Sequence, residues 1–156
     1  MKKIFFIVAF IAIGLVQTYA LDRSPLHVDL LTHYYAIKDA LVASKADLAA
    51  THAAEFVKAA ALVDAKNLPD ANRALLVKDA SAIASAKDLK KQRELFSAFS
   101  ENMAALAKVT KLGHGDIYKA YCPMKKASWL SKEPAIKNPY YGSTMLTCGK
   151  VVETIK

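Results

Sequence analysis

The chain has 156 residues, 54% of them hydrophobic, with 22 lysines and arginines against 14 acids for a formal charge of +8. That length suits one domain whose core needs neither metal nor disulfide to fold. The basic excess is scattered among acids, and its densest cluster, Lys87, Lys90, Lys91 and Arg93, encloses Asp88 and Glu94, so it reads as a solvated helix face and argues against a nucleic-acid partner.

Residues 1–20 have the order of a cleavable secretory signal. Lys2 and Lys3 come first, an apolar run follows from Ile4 to Val16, and small residues stand at Thr18 and Ala20. The run is shorter than the roughly 20 residues a membrane span needs. Cleavage between Ala20 and Leu21 is therefore expected, with no stable membrane insertion afterwards. Leu21 occupies the place where a bacterial lipid anchor would require Cys. Removing 20 of the 156 residues takes two lysines and no acid, leaving 136 residues with a charge of +6 in the periplasm or the medium.

Residues 24–112 are rich in Ala, Leu and Lys, with two prolines and no glycine, a helical composition. Ser24-Pro25 starts a first helix that runs to about Ala43 and presents Leu30, Tyr34, Ile37 and Leu41 on one face. A second helix is expected to carry Leu48, His52, Phe56 and Val63 on its stripe, until Asn67-Leu68-Pro69-Asp70 breaks it. A third begins near Asp70 with Leu76, Ala80 and Ile83 inward. The fourth follows a seven-residue rhythm through Leu89, Phe96, Phe99, Met103 and Leu106, capped by Asp88 and expected to end at Gly113. The spacing predicts a mainly α fold, an up-down four-helix bundle over residues 21–112.

Residues 113–156 differ in character and are read as a small C-terminal cap of turns and short β-strands, in the same domain as the bundle. The last 41 residues hold both cysteines, three of the five prolines, the single Trp and four of the seven tyrosines. Residues 117–122, 127–130 and 151–155 read as strands, and residues 138–142 as a turn in which Pro139 fixes one dihedral angle and Gly142 takes the left-handed one. Trp129 and the tyrosines read as core of the cap.

The chemistry is concentrated in Cys122-Pro123-Met124 and Met145-Leu146-Thr147-Cys148. In an extended chain Cys122 and Met124 would share one side, and in a helical turn Met145 and Cys148 would share one face. Two thiols and two thioethers brought together form a soft site of the kind that selects Cu(I). The competing reading is a disulfide, the commonest fate of two cysteines in an exported protein. Closing its loop of about 27 residues would add about 3.5 kcal/mol. His114, in a glycine-flanked loop leading to the cysteine segment, and His52, between Leu48 and Phe56, are further candidate ligands; His27 and His33 have weaker claims. No phosphate loop, nucleophile elbow, zinc-protease pair or haem attachment motif occurs. Cys122, followed by Pro, has no helix start beside it to activate it as a nucleophile. A binding protein is expected rather than an enzyme.

Several segments resemble the bacterial family named domain of unknown function 3347. They are Tyr34 to Val42, Lys91-Gln92-Arg93-Glu94-Leu95-Phe96, Tyr121-Cys122-Pro123-Met124, Trp129-Leu130-Ser131, Ile136 to Gly142 and Met145-Leu146-Thr147-Cys148-Gly149. The resemblance covers nearly all of the chain after the signal. It implies a small exported protein and, from the company related domains keep, a link to the periplasmic adaptors of heavy-metal and copper efflux pumps. Many relatives carry His where this chain has Leu95, so a ligand set including that position would turn here to His52 or His114. The combined expectation is a soft-metal binding protein that buffers Cu(I) or a similar ion, or hands it to an efflux adaptor or other envelope protein. The alternative is a disulfide-stapled interaction module that binds no metal.

Overall fold

The computed structural model describes residues 25–156 apart from Lys111 and His114, with side chains from Leu30 onward. The signal at residues 1–20, its cleavage point and the side chain of His27 lie outside the described residues, as does the candidate ligand His114. Among the described residues are four helices, α1 (Pro25–Val42), α2 (Ala46–Leu62), α3 (Asp70–Ser85) and α4 (Leu89–Val109), and three strands, β1 (Ile117–Cys122), β2 (Ala127–Ser131) and β3 (Lys150–Ile155). A 3₁₀ turn at Gly142–Met145 precedes β3. None of these helices is long and apolar enough to cross a membrane.

Consecutive helices pack on one another, α1 on α2, α2 on α3 and α3 on α4. The inner face of α1 is the one the spacing predicts, with Leu30, Tyr34, Ile37 and Leu41 buried. On α2 the expected stripe is half right: Phe56 and, just past the helix end, Val63 are buried, but toward the start the face is turned by about one residue, with Ala49 and Ala53 buried, Leu48 44% exposed and His52 half-buried. Side-chain size misleads here, because neighbouring helices approach closely over alanines and leave bulkier groups at the flank. The stripes of α3 and α4 are as expected, and the Asp88 carboxylate accepts from the Lys91 amide at 2.9 Å to cap α4. The α4 helix ends at Val109, short of Gly113: Thr110 takes an extended conformation, and its amide and hydroxyl both donate to the Leu106 carbonyl.

The strands form one antiparallel sheet in the order β2-β1-β3, with Cys122 opposite Ala127 and Tyr121 opposite Lys150. The sheet rests on α4 through β2, every residue of which is buried. Tyr34 fastens it from α1: its hydroxyl accepts from the Leu130 amide at 2.9 Å and lies 2.7 Å from Ser100 Oγ on α4. Burial pushes the Tyr34 pKa well up, so the hydroxyl stays protonated. An aromatic cluster lies beneath, with Tyr34 stacked on Phe96 at 5.4 Å and Phe56 edge-on to Phe99 at 4.8 Å.

Candidate functional site

Cys122 closes β1, and Cys148 lies two residues before Lys150, the β3 residue paired with Tyr121. Antiparallel pairing thus returns the second cysteine to the first, and the sulfurs stand 3.6 Å apart. Both thiols are free, Cys122 fully buried and Cys148 half-buried. The pair is entered from the Cys148 side.

Three devices hold this geometry. Asn138, fully buried, donates to the Cys148 carbonyl at 2.7 Å and accepts the Tyr140 amide at 2.8 Å, which fixes the turn over the thiols. Gly149 has φ +149°, and a Cβ there would come within 2.8 Å of the Trp129 ring and 3.0 Å of the Tyr121 carbonyl, so only glycine lets Cys148 lie against the sheet. Gly142 has φ +58° and passes so close to Val42 and Arg93 that a Cβ would meet the Val42 carbonyl at 2.8 Å. From α4, Arg93 donates to the carbonyls of Pro139 (3.0 Å) and Leu41 (2.8 Å), tying that turn to the end of α1.

The two thiols are electrostatically unequal. Burial pushes the Cys122 thiol up, but hydrogen bonds from the Lys125 amide, Asn138, Cys148 and the Met124 amide outweigh it and hold the thiol below its ordinary value. The hydrogen bond with Cys122, followed by partial burial and the Cys122 charge, pushes Cys148 the other way. The pair is therefore built to lose one proton readily and the second reluctantly. The activating groups are two amides of the β1–β2 turn together with Asn138 and Cys148, so no helix start is needed.

The candidate residues separate accordingly. Cys122 and Cys148 come together. Residues 123–126 turn instead of extending, so alternation does not apply to Met124, whose side chain is 64% exposed. Met145 is half-buried at the end of the 3₁₀ turn, and its carbonyl accepts the Cys148 amide at 3.1 Å. His52 is on α2, where its Nδ1 is 2.8 Å from Glu55 Oε2. Leu95 packs against the core. Asn138 was missed as a site residue: its sequence context announces a turn, and its contact with sulfur exists only once β3 has closed on β1.

A family model described as Protein of unknown function (DUF3347) matches residues 30–115, more than half of the chain. The chain belongs to this family. The DUF3347 match takes in most of α1, all of α2, α3 and α4, and Arg93, and it ends before β1, so both cysteines lie beyond it. No curated protein and no solved structure matches the chain.

Proposed function

We propose that this DUF3347 protein is an exported soft-metal binding protein in which Cys122 and Cys148 hold Cu(I), for buffering or for delivery to an envelope efflux system. The observation that carries the reading is the thiol pair 3.6 Å apart, one member of which is predisposed to ionise. Two thiolates sharing a tetrahedral zinc ion at about 2.3 Å stand about 3.8 Å apart, and Cu(I) needs a similar separation when a third ligand bends the two sulfurs toward each other. The free pair is therefore close to the spacing of a shared three-coordinate ion, whereas a disulfide would draw the sulfurs together to about 2.05 Å. Soft thiolates favour Cu(I) over Mg²⁺ or Ca²⁺. Met145, next to Cys148 in the fold of the chain, is the first candidate for a third ligand, with Met124 behind it. The efflux partner rests on the family resemblance. The short helix connections favour alternating directions, an up-down bundle that serves as a rigid base for the cap.

Anaerobic competition of the reduced protein against a chromogenic Cu(I) chelator tests the assignment. One Cu(I) per chain is expected, with binding abolished in Cys122→Ser and in Cys148→Ser and only weakened in Met145→Leu. Unchanged affinity in both cysteine variants, together with no titratable thiol in freshly isolated protein, would favour the disulfide-stapled interaction module instead.

A further inference from the structure

On the outer side of the first two helices, three metal-competent groups meet far from either cysteine in sequence. His33 comes from α1, and His52 and Glu55 come from α2, three residues apart and so on one face of the helix. One ligand atom from each lies within 4.8 Å of the other two. Glu55 Oε2 is 2.8 Å from His52 Nδ1 and 3.5 Å from His33 Nδ1. We infer that His33, His52 and Glu55 form a second metal site, selective for a borderline divalent ion of the Zn(II) or Cu(II) type.

The donor set decides the class of ion. Two imidazoles and one carboxylate suit first-row divalent ions, whereas Ca²⁺ and Mg²⁺ require oxygen ligands and Cu(I) favours sulfur. The spacing fits as well. Ligand atoms at about 2.0–2.1 Å from a tetrahedral ion stand about 3.3–3.4 Å apart, which falls between the two observed separations. An ion can therefore enter after small side-chain rotations, replacing the proton that His52 shares with Glu55. The side chains are 27%, 31% and 43% exposed for His33, His52 and Glu55, so the site opens to solvent and the fourth position is left for water or an external ligand. The imidazoles draw the Glu55 carboxyl below its usual range, His52 first through its hydrogen bond, and Lys58 adds a smaller pull. Metal-free, the Glu55 carboxylate accepts from His52 Nδ1 and faces His33 Nδ1, and the metal would take the place of these contacts.

The site is independent of the thiol pair, so the test removes the thiols. The full-length Cys122→Ser/Cys148→Ser double variant, its fold checked by circular dichroism, is titrated with Zn(II) by calorimetry and, separately, by competition against a chromogenic chelator. One Zn(II) per chain is expected, with protons released on binding. His33→Ala, His52→Ala and Glu55→Gln should each weaken it about tenfold or more, with helical circular dichroism unchanged because all three side chains are part-exposed. Failure of the folded thiol-free protein to bind Zn(II), or equal binding when either histidine is also replaced in it, would overturn the assignment and leave an ordinary hydrogen-bonded triad. Neither result bears on Cu(I) binding by the thiols of the wild type.

Discussion

Asn138 acts at the sulfur site through its amide, which donates to the Cys148 carbonyl at 2.7 Å and helps hold the Cys122 thiol down. Asn138→Leu keeps the volume but strands buried polar partners, at a cost of about 1–3 kcal/mol each. Its sharper effect concerns protons. Followed by thiolate absorbance, the wild-type pair should titrate in two steps that bracket the ordinary thiol value of about 8.5. In Asn138→Leu the lower step should move up, because a donor to the ionised form is gone; an unmoved step in the folded variant would show that Asn138 only shapes the turn. The lowered folded value of Cys122 contributes stability above the unfolded thiol value, and this is lost as pH falls through the folded one. The raised value of Cys148 contributes below the unfolded value and is lost as pH rises, so the two slopes oppose each other and titration is the more sensitive measurement. Two cysteines in separate segments were visible as a pair before folding, but their inequality was not, since it is set by turn amides and a side chain 10 residues from Cys148.

Among the helices, the reading succeeded where large side chains are buried and failed where small ones are. Phe96, Phe99 and Met103 on α4 are large enough that only one face can hide them, so their rhythm located the core. On α2 the buried face is mostly alanine, and Leu48 and His52 drew the stripe toward a flank that solvent reaches. Leu48→Ser should therefore change stability by less than about 0.5 kcal/mol, as surface substitutions do. Ala53→Leu should cost about 1–3 kcal/mol by forcing α2 away from its neighbours, and Phe99→Ala about 3–5 kcal/mol. Chemical denaturation of the three variants distinguishes the two registers: a large loss in Leu48→Ser beside a harmless Ala53→Leu would restore the stripe expected from side-chain size. The same offset placed His52 between the buried stripe and solvent, where it can reach both Glu55 on its own helix and the neighbourhood of His33 on α1.

At the scale of the molecule, the helices and the sheet are joined by a few polar tethers laid over an apolar contact. Tyr34 connects α1, α4 and β2, and Arg93 connects α4 to the end of α1 and to the turn above the thiols. Leu41 is among the last carbonyls of α1, which lack an i+4 amide; the Ser44 amide reaches it at 3.2 Å and Arg93 adds a second donor at 2.8 Å. None of these tethers was legible in the sequence, because each joins residues 46 to 96 positions apart. They should make helices and sheet one cooperative unit, and the protein carries its own reporter to test that. Trp129, the only tryptophan, is buried in β2, while far-ultraviolet circular dichroism follows the helices. The fluorescence and dichroism transitions in denaturant should coincide. Tyr34→Phe, which strands the Leu130 amide and Ser100, should shift both together by about 1–3 kcal/mol. Earlier loss of the Trp129 signal in the wild type would instead mean that the sheet and its thiols melt from a helical unit that stands alone, and the buried Cys122 would then become reactive to alkylation before any helix unfolds.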